Sequence, residues 1–304
     1  MPIAEGNALS LNHCPYLDRV RADVRHLAEL AFREDLPDGD VTAQVLGLKA
    51  SRAEADLICR EPVSVCGVAW FEALLEAHMQ VTGATDLNMV ALVEDGQRVA
   101  AGNTLLKLQG NTAAILSMER TLLNFLGRGI GIANATFSYV EVVRKHNHRT
   151  RILDTRKTLP GYRHFDKYAV LCGGGANHRM NLSDQVLIKE NHIAKLNGIP
   201  AAMQHLRRHL DRDVGIQIEV RNFEELQQAI DVGFPIIMLD NFTPEQVARA
   251  CELDRGDSQL EVSGGINLET IEAYCHPRLD RISIGALTHS VKAPDLSLLI
   301  SEVQ

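Results

Sequence analysis

Residues 235–241 read PIIMLDN and residues 260–265 read LEVSGG, two short apolar runs that each close on a polar or glycine corner. The same pattern stands upstream in RILDTRK (151–157), QVLIKEN (185–191) and IQIEVR (216–221), and downstream in RISIGA (281–286). Their composition predicts strands buried on both faces, and their recurrence about every 20 to 35 residues with helical pattern between them predicts βα repeats. The strands end on Asp154, Lys189, Glu219, Asp240, Ser263 and Gly285. Reactive groups at successive strand ends fit an α/β barrel, whose chemistry sits on its C-terminal rim, whereas a dinucleotide-binding sheet concentrates its signal in one glycine-rich turn. Only six such strands are clear, so the barrel is expected to be incomplete. The string Gly127-Arg128-Gly129-Ile130-Gly131 mimics a nucleotide loop but follows a helical pattern, and reads as a kink or a close helix contact.

Outward from the barrel, residues 16–34 place Leu17, Val20, Val24, Leu27, Ala28 and Ala31 at helical spacing. ADLICREPVSVCG (55–67) and MVALVEDGQRVAAGNTLLKLQG (89–110) read as strands broken by turns, with a helical VAWFEALLEAHMQ (68–80) between them. A long helical stretch begins near Asn111. Val99–Leu105 has the V-x-x-G-x-x-L spacing of biotinyl and lipoyl carriers, but no lysine stands at the Asp95-Gly96 turn to be modified, so a plain hairpin is expected. The expected fold class is α/β: an N-terminal α+β sandwich domain over 1–112, to which a tail at 290–304 returns, followed by an incomplete parallel α/β barrel over 113–289.

The net charge of -8 argues against a nucleic-acid or membrane-surface binder. Its distribution is uneven: Arg144–Lys189 carries ten Lys/Arg against three Asp, a local +7 that leaves -15 for the rest. The six cysteines form no CxxC pair, so neither a zinc knuckle nor a redox motif is indicated. The first residues lack a basic segment followed by an apolar run, and no stretch has the roughly 18 apolar residues of a membrane span. A cytoplasmic protein is expected.

The basic block resolves into clusters. Asp154-Thr155-Arg156-Lys157-Thr158 puts a planar guanidinium beside an ammonium, His178-Arg179 follows the glycine loop 173–175, and Lys189 closes the next strand. Each alone is compatible with a surface salt bridge. Together, cations crowded at neighbouring strand ends repel unless an anion neutralises them, so a multiply anionic ligand is expected. Glu219 and Asp240 suit Mg²⁺ or ribose hydroxyls, with a helix N-cap or an ion pair to the basic block as the alternatives. Ser263-Gly264-Gly265 and Ser283-Ile284-Gly285-Ala286 allow main-chain N–H groups to approach a phosphate ahead of a helix N-terminus, or are tight structural turns.

Several segments in this order resemble one family over nearly the whole chain: Glu34-Asp35-Leu36 with Gly39-Asp40-Val41-Thr42, Glu119-Arg120 with Asn124, Asp154–Thr158 with Pro160-Gly161, Lys167–Val170, Cys172–Gly175, His178-Arg179, Ile188–His192, Leu239–Asn241, Glu261–Gly265 and Ile282–Ser290. The chain is similar to the quinolinate phosphoribosyltransferases, also called carboxylating nicotinate-nucleotide pyrophosphorylases. The resemblance implies that quinolinate and phosphoribosyl pyrophosphate give nicotinate mononucleotide, pyrophosphate and CO2, with Mg²⁺ and no organic cofactor. It implies that Arg156, His178, Arg179 and Lys189 hold the quinolinate carboxylates, with Arg120 inserted from a partner subunit, so that a homodimer, or a larger oligomer, is the active unit. Lys157, Glu219, Asp240, Ser263, Gly264, Gly265 and Gly285 would face the phosphoribosyl donor, with Lys157, Glu219 and Asp240 catalytic and Glu219 and Asp240 near the metal. The chain departs from the family pattern at Ile130-Gly131-Ile132-Ala133-Asn134, where Ser-Gly-Ile-Ala-Thr is usual, so both hydroxyls are replaced. Rivals are a phosphoribosyltransferase for another ring acid, a Schiff-base aldolase using Lys157 or Lys189, and a non-catalytic binding protein.

Overall fold

The computed structural model describes residue 11 and residues 14–146, 149–211 and 213–302. They form two compact units. The first takes the chain up to Phe137, residues 158–174 and the chain from Thr288; the second takes Ser138–Lys157 and Gly175–Leu287. The units are discontinuous in sequence, where the expected domains were cut once at 112/113 and once at 289/290.

In the first unit α1 (Leu17–Asp35) buries Leu17, Val20, Val24, Ala28 and Phe32, a single stripe at helical spacing. Each large apolar side chain so removed from water contributes about 1.5–3 kcal/mol. The short α2 (Val41–Val45) is capped by the Asp40 carboxylate, which accepts the Ala43 N–H at 3.0 Å. Then follow β1 (Arg52–Cys59), β2 (Val63–Ser64), α3 (Phe71–Thr82), β3 (Leu87–Ala91), β4 (Arg98–Val99) and β5 (Thr104–Asn111). Strand β1 alternates sides from Arg52 to Leu57, with Ala53, Ala55 and Leu57 buried, the period of a strand with one face on a core.

The 35-residue α4 (Thr112–His146) is the long helical stretch expected from near Asn111, continuous through its glycines. Those glycines mark close contacts in an unbroken helix. A Cβ on Gly129 would stand 3.1 Å from Cys66 Sγ, and one on Gly131 would stand 2.5 Å from the Lys292 carbonyl. Of the string's two readings, the close helix contact is the one observed.

After the last residues of α4, the second unit continues with β6 (Arg151–Leu153); α5 (Arg163–Cys172) then belongs to the first unit. There follow β7 (Gln185–Ile188), α6 (Glu190–Lys195), α7 (Ile199–His209), β8 (Gly215–Val220), α8 (Phe223–Asp231), β9 (Ile236–Asp240), α9 (Pro244–Cys251), β10 (Gln259–Ser263) and β11 (Arg281–Ser283). The chain ends with α10 (Ala286–His289) and β12 (Leu296–Glu302), the latter antiparallel to β1 in a four-stranded sheet of order β12-β1-β5-β3. Local chemistry sets the helix starts: the Asn222 amide oxygen caps α8, and Thr243 and Gln246 form a capping box on α9 with Pro244 in its first turn.

The six strands of the second unit are parallel and ordered β6-β11-β10-β9-β8-β7. From β7 to β11 spatial order follows chain order, and β6 lies beyond β11. That is a barrel's winding, opened between β6 and β7, where, among the described residues, the outer edge of β6 carries a single bridge from Leu153 to Ala176. The incomplete barrel expected from the sequence is therefore found as an open parallel sheet.

Candidate active site

The strand ends of the second unit collect the chemistry. At the end of β7, Lys189 Nζ lies 2.6 Å from Glu219 Oε2 at the C-terminal end of β8; Glu219 is 9% exposed while the lysine side chain remains 43% exposed. Glu219 thus makes the ion pair to the basic block that was one of the alternatives open for it. One strand further, Asp240 ends β9 and aligns in register with Ser263 on β10, which aligns with Ser283 on β11.

Asp240 sits on a tight corner. Asn241 takes a left-handed φ of 56°, donates its side-chain amide to Asp240 Oδ2 at 3.0 Å and gives its main-chain N–H to the Ser263 carbonyl at 2.9 Å. Gly264 (φ 111°) lies against this corner, and a Cβ there would fall 2.2 Å from Asn241 Oδ1, so only glycine fits. No α-helix follows: Asn267 Oδ1 takes the N–H groups of Glu269 and Thr270 at 2.9 and 3.0 Å, and a single 3-10 turn comes next. The helix N-terminus expected there is absent, and the one after Gly285 is the four-residue α10.

Between β6 and β7, the fully buried Asp154 accepts the His178 N–H at 2.9 Å and the Asn177 side-chain amide at 2.6 Å, fastening residues 177–178 beside its strand. His178 Nδ1 accepts the Arg179 N–H at 2.7 Å, and Nε2 faces Glu261 Oε1 at 3.4 Å. Arg179 donates from Nη1 to the Gln185 carbonyl at 3.1 Å. Burial and then the charge of Arg156 hold its guanidinium below the ordinary value, opposed by Asp184.

The structure therefore gathers Arg156 with Arg179 and His178, Lys189 with Glu219, and Asp240 with Ser263 and Gly264, all within the second unit. Lys157 and Gly265 are exposed, and Gly285 is half-buried. Arg120 belongs to the first unit and is exposed on α4. Among the residues that the sequence pattern did not single out is Glu261: it accepts from Ser283 Oγ and, at 3.1 Å, from Gln217 Nε2, with Arg281 Nη1 at 3.9 Å. Gln217 in turn accepts from Gln185 Nε2 at 3.2 Å. The signal was present as polar residues inside otherwise apolar strands, Gln217 and Glu219 in β8 and Glu261 and Ser263 in β10.

Parallel strands that present guanidiniums, an ammonium and carboxylates at one set of ends define an α/β enzyme site for a multiply anionic small molecule. Residues 40–129 match the family described as quinolinate phosphoribosyl transferase, N-terminal domain, and residues 132–299 match its C-terminal domain. The probable carboxylating nicotinate-nucleotide pyrophosphorylase of Bacillus subtilis is 36% identical over 270 residues, covering 88% of this chain and 90% of that protein. A decarboxylating quinolinate phosphoribosyltransferase of Nicotiana tabacum, called 2b and mitochondrial, is 35% identical over 297 residues, with coverages of 91% and 82%. Among solved structures, the nicotinate-nucleotide pyrophosphorylase from Francisella tularensis superposes with a TM-score of 0.83 at 38% identity, covering 92% of this chain and 97% of that one. The chain belongs to the quinolinate phosphoribosyltransferase family.

Proposed function

We propose that the protein transfers the phosphoribosyl group of phosphoribosyl pyrophosphate to quinolinate with decarboxylation, yielding nicotinate mononucleotide, pyrophosphate and CO2. The observation that carries the reading is the collection of Arg179, Lys189, Glu219 and Asp240 at successive strand ends of one parallel sheet, with Lys189 Nζ 2.6 Å from Glu219 and His178 and Arg179 fastened beside β6. Quinolinate is a dianion with adjacent carboxylates, and paired guanidiniums offer planar forks to both. His178 fixes the main chain beside Arg179, and Lys189 supplies a further cation. These excess cations favour a dicarboxylate over a ring acid with one carboxylate.

The pyridine nitrogen attacks C1 of the ribose as the bond to pyrophosphate breaks, and positive charge develops on the sugar. Glu219 and Asp240 would stabilise that charge, and Lys157 on its exposed loop would neutralise the departing pyrophosphate. Once ribosylated, the ring nitrogen is cationic. It accepts the electron pair left when the C2–carboxylate bond breaks, CO2 departs, and a proton takes its place, so no organic cofactor is needed.

The donor set also suits Mg²⁺. Among the described residues no group of three or more His, Cys, Asp or Glu is placed to hold a metal, and Mg²⁺ typically takes one or two carboxylates with substrate phosphate oxygens. Glu219 and Asp240 each engage a neighbour through one oxygen, leaving the other for such an ion. When bound, it would offset charge on the pyrophosphate. Main-chain groups at Ser263, Gly264, Gly265 and Gly285 would receive the donor's phosphate.

A homodimer in which Arg120 enters the second copy's site belongs to the same reading. Mixing an Arg120→Ala chain with an Arg179→Ala chain should then restore activity through one intact site, and verified mixed dimers with none would exclude the sharing. The cytoplasm is the proposed compartment, supported by six free cysteines, which a reducing environment maintains. Incubation with Mg²⁺, phosphoribosyl pyrophosphate and C2-carboxyl-labelled quinolinate tests the reaction itself. Labelled CO2 should appear in step with nicotinate mononucleotide; its absence would refute the proposal.

A further inference from the structure

Five side chains of the second unit close into a ring, three of which, Glu261, Gln217 and Gln185, the reaction chemistry does not call on directly. Glu261, fully buried on β10, accepts from Gln217 Nε2 at 3.1 Å; Gln217 Oε1 accepts from Gln185 Nε2 at 3.2 Å. The Gln185 main-chain carbonyl accepts from Arg179 Nη1 at 3.1 Å. The Arg179 N–H donates to His178 Nδ1 at 2.7 Å, and His178 Nε2 returns to Glu261 at 3.4 Å. The ring thus grips Arg179 twice, by its main chain through His178 and by its guanidinium through Gln185.

The direction of each bond sets what Glu261 must be. Because His178 Nδ1 accepts, the neutral imidazole carries its proton on Nε2, which then points at Glu261. Gln217 also presents a donor to Glu261, as does the Ser283 hydroxyl. Two hydrogen bonds, one to each oxygen, thus end on Glu261, and the His178 Nε2–H stands 3.4 Å off one of those oxygens; only an acceptor at both oxygens suits all three. Burial pushes the Glu261 carboxyl up, but His178, Ser283 and Arg281 outweigh it and hold the carboxyl below its ordinary value. The ring therefore closes on a carboxylate at neutral pH.

We propose that Glu261 is the positioning residue for recognition of the substrate carboxylate, anchoring the ring that holds Arg179 in place by its main chain and its guanidinium. A guanidinium released from the ring would no longer be aimed at the carboxylate it receives. The identity of that carboxylate rests on the phosphoribosyltransferase reading; the ring itself does not.

Glu261→Gln keeps the size of the side chain but turns one acceptor into a donor. The quinolinate KM should rise about tenfold or more, since small misplacements of a binding group are costly, while the phosphoribosyl pyrophosphate KM stays within about twofold. A merely structural role would move both constants together. Independently of turnover, ¹⁵N-labelled protein should show His178 as the Nε2–H tautomer, with that proton protected from exchange in the parent and exchanging faster in Glu261→Gln. Should Glu261→Gln fail to fold, Ser283→Ala removes one donor alone and should raise the quinolinate KM about threefold with the same selectivity. An unchanged quinolinate KM, an equal rise in both constants, or an Nδ1–H tautomer in the parent each overturns the proposal. If the parent turns over no quinolinate, the assigned reaction fails, and the tautomer measurement alone decides whether the ring exists.

Discussion

Asp95 in the first unit and Glu261 in the second are both carboxylates withdrawn from water and met by several donors, yet burial prevails at one and not at the other. Asp95 accepts the N–H groups of Gly67, Val68 and Ala69 at 2.6, 2.9 and 3.0 Å and the Tyr168 hydroxyl at 2.7 Å. All four partners are neutral, and burial still pushes its carboxyl above the ordinary value. The neighbours follow: the Cys66 and Cys172 thiols and the Tyr168 phenol are likewise pushed up by burial. At Glu261, His178 and Ser283 and then the Arg281 guanidinium hold the carboxyl down against burial. A charged group among the partners, present at Glu261 and missing at Asp95, divides the two. The first region braces a turn with neutral groups, whereas the second keeps fixed charges among strand ends, as an anion site requires.

The sharpest way to break this division is Arg179→Ala. If the second region is the working one, kcat/KM for quinolinate should fall about a thousandfold, the scale of losing a buried charge-assisted contact, with the circular-dichroism spectrum unchanged. Near-parental kcat/KM would remove Arg179 from the site and with it the functional meaning of the comparison.

Smaller, but aimed at the contrast itself, is the pH dependence of stability in Asp95→Asn and Glu261→Gln. Glu261 has its folded pKa depressed from an ordinary 4.5, so its contribution is present above that value and lost as pH falls through the folded one. Asp95 has its folded pKa raised from an ordinary 3.8, so its contribution is greatest below that value and lost as pH rises through the interval up to the folded one. In urea unfolding at stepped pH, the gap between the parent and Glu261→Gln should narrow on acidification below 4.5. The gap to Asp95→Asn should instead shrink as pH rises from 3.8 through that interval. Asp95→Asn also turns an amide donor toward an N–H, costing about 1–3 kcal/mol at neutral pH. Slopes of the same sign would show that partner charge does not separate the two carboxylates.

The strands of the second unit were legible because apolar runs closing on polar corners leave a local trace. Lys189, Glu219 and Asp240 could be named from those corners alone. The ring through Gln185, Gln217 and Glu261 could not, because runs judged apolar as a whole conceal polar residues on one face, and their partners stand 32 and 44 positions apart. Asp95 read as an ordinary turn residue, since nothing in the sequence says that its carboxylate reaches back to three N–H groups of residues 67–69. The glycines of α4 signalled contact, but the contact partners Cys66 and Lys292 lie far along the chain.

The smallest expected effect concerns the departure from the family pattern, and it probes the first region. Asn134 Oδ1 accepts the Ser64 N–H at 2.7 Å and Arg98 Nη1 at 2.8 Å, while Arg98 lies over the Phe137 ring at 4.7 Å. Ile130, the other departure, is fully buried and apolar. Both positions thus serve packing within the first unit. A threonine at 134 carries its oxygen one carbon closer to the backbone and cannot reach both donors, so Asn134→Thr should cost about 1 kcal/mol, a few degrees in Tm, and leave both KM values unchanged. Altered quinolinate kinetics at unchanged Tm would mean that the hydroxyl's absence is felt at the reaction, and that the first unit is not the passive brace that Asp95 suggests.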